Sequence, residues 1–201
     1  MSFDRSIEVN LHPELLRLFY PLFQEGVEVE VEVGCSIKEL LTDQFGIASD
    51  YIAGRITTLF LNHRAVDDAA TALIHDGAVL ALSGAMPGLV GATMRSGGHY
   101  AAMRGAMTYR NEGIPESRRG TIKLKLYNLL LAELGPRLLM RGILLSAERL
   151  SKFLSDWPER LRVREFRIDG LKEPVERFRQ MTNFPDGKEQ FYLRVQFGDE
   201  S

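Results

Sequence analysis

Cysteine and histidine are scarce in this chain of 201 residues, which contains one cysteine and four histidines. The single cysteine, Cys35, excludes an intramolecular disulfide and a cysteine-cluster metal site. The four histidines lie far apart in sequence, at positions 12, 63, 75 and 99. We therefore expect neither a bound metal nor a cofactor.

Long apolar runs and an excess of one charge are also missing. No run approaches the roughly 18 to 20 residues that a membrane-spanning helix needs, and the first residues do not form a signal peptide. We therefore expect a cytoplasmic protein without membrane contact. Because 25 basic residues stand against 27 acidic ones, the chain lacks the positive field of a general nucleic-acid binder, so nucleic acid is not an expected partner.

The strongest pattern that is present is the strict alternation of valine and glutamate over residues 27–33. Only a strand with one buried and one solvated face satisfies this alternation. Residues 6–11 alternate as well and predict a strand facing the same core. Ser36 and Glu39 have the spacing of a capping box, which predicts a helix from residue 37 to about 45.

Two further strands are predicted at residues 56–61 and 78–82, with turns at Asn62-His63 and Asp76-Gly77. Two strands, a capped helix and two strands within about 80 residues predict a small mixed sheet packed over one helix. The composition, 45% hydrophobic and 26% charged, leaves room for one large or two small domains of this kind.

This arrangement, over residues 6–84, resembles the β-grasp domain of the ubiquitin-like sulfur carriers, the family of the molybdopterin synthase small subunit and the thiamine-pathway sulfur carrier. The segments that carry the resemblance are the first strand, the acidic strand, and residues 34, 36–41, 60–62, 66 and 76–80. The resemblance implies a partner among the enzymes of sulfur transfer or cofactor assembly. Sulfur carriers end in an exposed Gly-Gly, whereas this sequence ends in Gly198-Asp199-Glu200-Ser201, so the resemblance extends to the scaffold and not to that chemistry.

The second half of the chain repeats the plan in degenerate form. A shift of 115 residues aligns Ile7, Val9, Leu11, Leu15 and Pro21 with Ile122, Leu124, Leu126, Leu130 and Pro136. We predict strands at residues 121–126, 138–145, 162–168 and 190–197, and a helix that Ser146 caps. The expected fold is α+β, and the second unit is either a duplicated β-grasp or a different α/β unit.

The predicted domains are a β-grasp domain at residues 1–85, a connecting segment at 86–120 and a second α/β domain at 121–201. The connecting segment is rich in glycine, methionine and arginine, and no acidic residue occurs between positions 77 and 111. Glycines allow backbone N–H groups to approach an anion, and arginines add bidentate contacts. The candidate contacts to an anion or a partner are Arg95, His99, Arg104 and Arg110. The glycines that are candidates for close approach of the backbone to that anion or partner are Gly88, Gly91, Gly97 and Gly98.

Each of these features has an alternative interpretation. The connecting segment also suits a linker that packs closely between two domains. Gly97-Gly98 is either a turn or, if the chain is cleaved after Gly98, the tail of a sulfur carrier. Cys35 is either a thiolate favoured by the following helix N-terminus or a small buried residue.

The charged strand faces are open to two interpretations as well. The glutamates of residues 27–33 either form a solvated face or receive a basic partner. Outward basic and aromatic residues of the second half either bind RNA or only confer solubility: Lys123, Lys125, Tyr127, Arg162, Arg164, Arg167, Tyr192 and Arg194. His63 and His75 are interpreted as surface residues.

Two function classes follow. The favoured one is a non-catalytic protein-interaction module, because a β-grasp sheet offers a broad face and an edge for docking, and no catalytic residue is assigned. The alternative is an enzyme or a binder of a small anionic ligand at the connecting segment. Homo-oligomerisation is left open.

Overall fold

The computed structural model of the chain describes residues 5–84, 88–99, 108–109, 113, 116–156, 163–180 and 189–198. Those residues form ten β-strands and seven α-helices, which confirms the predicted α+β class. The chain divides into two compact units: unit 1 contains residues 1–22 and 132–201, and unit 2 contains residues 23–131. Each unit holds five of the ten strands.

The strands in chain order are β1 (Arg5–Leu11), β2 (Val27–Val33), β3 (Thr58–Leu61), β4 (Arg64–Ala65), β5 (Val79–Ser83), β6 (Arg118–Tyr127), β7 (Ile143–Ser146), β8 (Val163–Ile168), β9 (Leu171–Lys172) and β10 (Gln190–Phe197). The helices are α1 (Tyr20–Glu25), α2 (Ile37–Glu39), α3 (Ser49–Arg55), α4 (Gly88–Met94), α5 (Leu130–Arg141), α6 (Ala147–Ser155) and α7 (Val175–Gln180). A 3₁₀ helix, Pro13–Phe19, precedes α1, and a π-helical turn, Leu40–Gln44, continues α2. None of the described helices is both long and apolar enough to cross a membrane.

In unit 2 the hydrogen-bonded strand order is β4-β3-β5-β6-β2. β5 and β6 run parallel, and every other neighbouring pair in the unit runs antiparallel. Parallel neighbours cannot be joined by a tight turn and need a long connection. The chain between Ser83 and Arg118 provides that connection, so the predicted connecting segment joins two strands of one unit.

Local sequence explains the elements of unit 2 well. The four valines of β2 are buried and its glutamates are not, which confirms the strand predicted at residues 27–33. The predicted capping box is present, since Glu39 N donates to Ser36 Oγ at 3.2 Å and Ser36 N donates to Glu39 Oε2 at 2.8 Å. The turn predicted at Asn62-His63 joins β3 to β4 with φ of 49° and 66°.

In unit 1 the strand order is β7-β10-β1-β8-β9. β1 and β10 run parallel, and the other neighbouring pairs run antiparallel. The strands predicted at residues 162–168 and 190–197 are confirmed as β8 and β10. The turn after β8 is tied to β1 because Ser6 N donates to Asp169 Oδ1 at 2.8 Å and Arg5 Nε donates to Oδ2 at 3.2 Å.

The strand predicted at residues 138–145 is wrong in its first half. Residues 138–141 are the last turn of α5, and β7 begins only at Ile143. Leu130, Leu134 and Leu138 are buried at a spacing of four, which places them on one face of a helix. Gly142, with φ of +114°, ends the helix before the strand.

The position of the first strand also differs from the prediction that it shares the core of the acidic strand β2. β1 pairs with β10 and β8 in unit 1, whereas β6 pairs with β2 in unit 2. The compact units therefore do not follow the contiguous ranges 1–85 and 121–201. Alternation predicts β1 and β6 equally well as half-buried strands, but it does not show which strands each of them pairs with.

Candidate functional site

One face of the unit-2 sheet lies opposite the core, and the alternation of each strand decides which side chains it carries. In β6, Ile122, Leu124 and Leu126 are buried, so the residues between them lie on that face. The register aligns Phe60 of β3 with Ala81 of β5, and Ala81 with Lys125 of β6. We call this surface the unit-2 face and define it by Phe60, Val79, Ala81, Ser83, Lys123, Lys125 and Tyr127.

The unit-2 face contains a cavity of about 450 Å³, which is within the size range of sites for small ligands or inserted side chains. Phe60, Val79 and Ala81 provide the apolar part of its lining. Lys125 and His63 add positive or protonatable nitrogen atoms, and Ser83, Tyr127 and Asn128 complete the lining. The cavity therefore combines an apolar surface with cationic hydrogen-bond donors.

The side chain of Lys125 lies next to Gly26, which has no side chain of its own. A Cβ added at Gly26, which has φ of +105°, would lie 2.7 Å from Lys123 Cγ and 3.2 Å from Lys125 Cε. The aliphatic stems of both lysines thus lie over Gly26, where any larger residue would displace them. Neither lysine forms an ion pair with a described residue, so the described residues leave the charge of Lys125 available to a ligand.

Hydrogen bonds fix the polar residues around the cavity. Tyr127 Oη donates to the Gln24 carbonyl at 3.3 Å. Asn128, which has φ of 58°, donates through Nδ2 to Ser83 Oγ at 3.0 Å. Since these side chains are held before any ligand arrives, binding requires little further ordering of the lining.

The glutamates of β2 lie beside the lysines on the same side of the sheet. The register places Glu28 opposite Lys123, Glu30 opposite Thr121 and Glu32 opposite Arg119. Directly opposed residues of an antiparallel pair share a face. On this face β2 therefore carries acidic residues, β6 carries basic residues, and β5 and β3 carry the apolar lining of the cavity. This order of charges would favour one orientation of a charged ligand.

The anion site predicted on the connecting segment is only partly described. Arg104 and Arg110 lie outside the described residues, whereas Arg95 and His99 lie at and after the end of α4. Ser96 holds this end of the segment on unit 2, because its Oγ donates to the Val66 carbonyl at 2.7 Å. The gathering of these four side chains around one anion stays a prediction.

The predicted glycines serve turns and a helix in the described part of the segment. Gly88 and Gly91 belong to α4. Gly97 N donates to Asp67 Oδ1 at 3.3 Å, and Gly98 N donates to the Arg95 carbonyl at 3.1 Å. These two N–H groups are therefore occupied by a carboxylate and a carbonyl, which agrees with the interpretation of Gly97-Gly98 as a turn.

Cys35 does not have the environment of a reactive thiolate. Burial raises the pKa of the Cys35 thiol, and the nearby Glu39 and Glu32 carboxylates raise it further, against the lowering effect of hydrogen bonds. The thiol donates to the Glu32 carbonyl at 3.3 Å, and Gln44 Nε2 donates to the sulfur at 3.3 Å. The net effect raises the pKa of the thiol, although Cys35 lies just before the N-terminus of α2.

The sequence alone does not identify His63 and Lys125 as site residues. It indicates a surface turn residue at His63 and one of several outward basic residues at Lys125. What places Lys125 in the cavity is the pairing of β6 with β5. This pairing joins residues far apart in sequence, so no local sequence pattern predicts it. Among the described residues no three histidine, cysteine, aspartate or glutamate side chains group to hold a metal ion.

Comparisons of the chain with protein families, with curated proteins and with solved structures found no match.

Proposed function

We propose that this chain is a non-catalytic protein-interaction module, and that the unit-2 face binds a segment of a partner protein which presents an apolar side chain next to a carboxylate. The observation that carries the proposal is the cavity of about 450 Å³ on that face. Its apolar lining accepts a buried side chain, and Lys125 lies where it can pair with the adjoining carboxylate.

The charge pattern favours an acidic segment over a basic one. Lys125 and His63 line the cavity, and its described lining contains no carboxylate. The acidic row on β2 lies on the far side of the lysines, so it would repel a segment that extended past them toward β2. A partner of the predicted chemistry therefore docks over β3, β5 and β6, and the salt dependence of its binding reports the lysine contact.

We also infer that both units derive from one β-grasp-like plan of the kind found in sulfur carriers. In both halves a strand, a helix, a second strand and a Ser-capped helix come before three further strands; the first half adds α3 before those strands, and the second half adds α7 between β9 and β10. In both halves a residue with positive φ forms the turn of the short hairpin, at Asn62 and at Asp169. Each unit takes its first-strand equivalent from the other half, β6 in unit 2 and β1 in unit 1.

This relationship points to an enzyme of sulfur transfer or cofactor assembly as the partner. The sulfur carriers that the first half resembles act by docking on such enzymes, and the unit-2 face offers a surface for docking of that kind.

The proposal is tested by site-specific photo-crosslinking in cells that express the full chain. A crosslinking phenylalanine analogue in place of Lys123, which lies on the unit-2 face beside the cavity, should capture one protein, through a segment in which an acidic residue adjoins an apolar one. The matched control carries the analogue at the exposed Lys152 on α6 and should not capture that protein. Equal capture from both positions, or capture through a segment without acidic residues, would contradict the proposal.

A further inference from the structure

A second cleft lies at the end of the β3–β4 hairpin, and among the described residues it shares no lining residue with the cavity of the unit-2 face. Its volume is about 330 Å³, and Asn62, Arg64, His75 and Tyr109 line it. We call it the turn cleft. Its volume suits a small metabolite or one end of a larger one.

The backbone around the turn cleft is held by specific hydrogen bonds. Asn62 N donates to the Val79 carbonyl at 2.9 Å, which joins the turn to β5. Tyr109 N donates to the Ala65 carbonyl at 2.8 Å, and its hydroxyl donates to the Leu73 carbonyl at 3.4 Å. Asn62 and Tyr109 are thus held in place by hydrogen bonds within unit 2, independently of any ligand.

Two polar groups of the turn cleft lack partners among the described residues. Val79 N donates to Asn62 Oδ1 at 2.9 Å, which fixes the side-chain amide, and Asn62 Nδ2 makes no hydrogen bond with a described residue. His75 Nε2 is buried and has no hydrogen-bond partner. A buried polar atom without a partner destabilises a fold, so such an atom calls for an explanation.

The described lining of the turn cleft includes one cationic side chain. Arg64 contributes a guanidinium group, and the described lining contains no carboxylate. The nearest acidic residue in sequence, Asp76, is directed toward β6, where its carboxylate accepts hydrogen bonds from Thr121 N and Arg118 Nη2, both at 2.9 Å. The Asp76 charge is therefore compensated outside the cleft.

We propose that the turn cleft binds a small oxyanion, the phosphate or carboxylate group of a metabolite. Arg64 would supply the fork of N–H donors that oxyanions accept, and Asn62 Nδ2 and His75 would donate to the same group. This site is distinct from the anion site predicted at Arg95, His99, Arg104 and Arg110, and of the connecting segment only Tyr109 contributes to its described lining.

The test is a titration of the full chain with inorganic phosphate, and separately with acetate, followed by NMR of the Asn62 side-chain amide and the His75 imidazole. Saturable shifts of both groups are expected with at least one of the two anions. A phosphate-only response would assign the site to phosphate esters, and an acetate-only response would assign it to carboxylates.

Two variants locate the binding. Asn62→Asp keeps the oxygen that accepts from Val79 N and tolerates the left-handed backbone, but it replaces the Nδ2 donor by a negative oxygen. Asn62→Asp and Arg64→Gln should each weaken anion binding at least about tenfold. The matched control, Arg55→Gln, changes an exposed arginine of the same unit and should bind as the unaltered chain does. Absence of saturable shifts, or unaltered affinity in both cleft variants, would overturn the proposal.

Discussion

Replacing Gly142 by alanine should destabilise unit 1 far more than the same replacement at Gly170. Both glycines have positive φ, +114° and +78°. An added Cβ at Gly170 meets no atom within 4 Å, whereas at Gly142 it would lie 2.5 Å from Tyr192 Oη, 2.7 Å from Cε1 and closer still to Cζ. The Tyr192 hydroxyl donates to the Arg141 carbonyl at 2.6 Å, so the ring cannot move without loss of that bond.

The magnitudes follow from these contacts. Positive φ at a non-glycine residue costs about 1–2 kcal/mol, which is the whole effect expected for Gly170→Ala. Gly142→Ala adds about 1–3 kcal/mol of overpacking against Tyr192 and about 1 kcal/mol for the lost hydrogen bond. The total for Gly142→Ala is about 3–6 kcal/mol.

Native-state hydrogen exchange at the amides of β7 and β10 measures this free energy within unit 1. A Tyr192→Ala background removes the ring, and Gly142→Ala should then cost only about 1–2 kcal/mol. Equal effects of the two glycine variants, or the same cost of Gly142→Ala with and without the tyrosine ring, would refute the reasoning.

Three further predictions concern capping, acid stability and the thiol. Ser36→Ala should reduce the free energy of unfolding of unit 2 by about 1 kcal/mol. Ser146→Ala removes a longer hydrogen bond, from Arg149 N at 3.3 Å, and should therefore reduce the free energy of unfolding of unit 1 by less; hydrogen exchange measures both. Hydrogen bonds hold the pKa values of Asp76 and Asp169 below their ordinary 3.8. The stability that these carboxylates contribute is therefore complete above that pH and is lost as the pH falls through the lowered pKa values. Replacing either aspartate by asparagine should flatten the pH dependence of urea unfolding below about pH 5, and an unchanged slope would contradict this prediction. Because burial raises the pKa of Cys35, iodoacetamide should alkylate it more slowly than free glutathione at neutral pH.

Elements with a local signal were predictable from the sequence. β2 and β10 have the predicted bounds because burial of every second side chain is a local property that the residues themselves display. The Ser36–Glu39 capping box is equally local, since both hydrogen bonds form within one turn. The exception is α5, where clustered leucines suit a buried strand or a helix, and only the four-residue spacing from Leu130 to Leu138 distinguishes the two.

The pairing of the strands was not predictable in the same way. β1 and β6 have the same alternating pattern, and their pairing depends on residues far apart in sequence, as between Arg5 and Phe191 or between Val33 and Arg118. The residues of the candidate site were therefore not predictable from local patterns either. Lys125 belongs to the cavity only because β6 lies beside β5, and His63 lines it only because the turn at Asn62-His63 adopts positive φ.

The most direct test of the central claim is the equilibrium affinity of the captured partner for the full chain and for two charge-reversed variants. Lys125→Glu removes the cation from the cavity, whereas the control Lys152→Glu makes the same charge change on α6 of unit 1. The account predicts that Lys125→Glu weakens binding at least about tenfold and reduces its salt dependence, while Lys152→Glu binds as the unaltered chain does. Equal affinities for the three proteins would contradict the assignment of the unit-2 face as the docking surface.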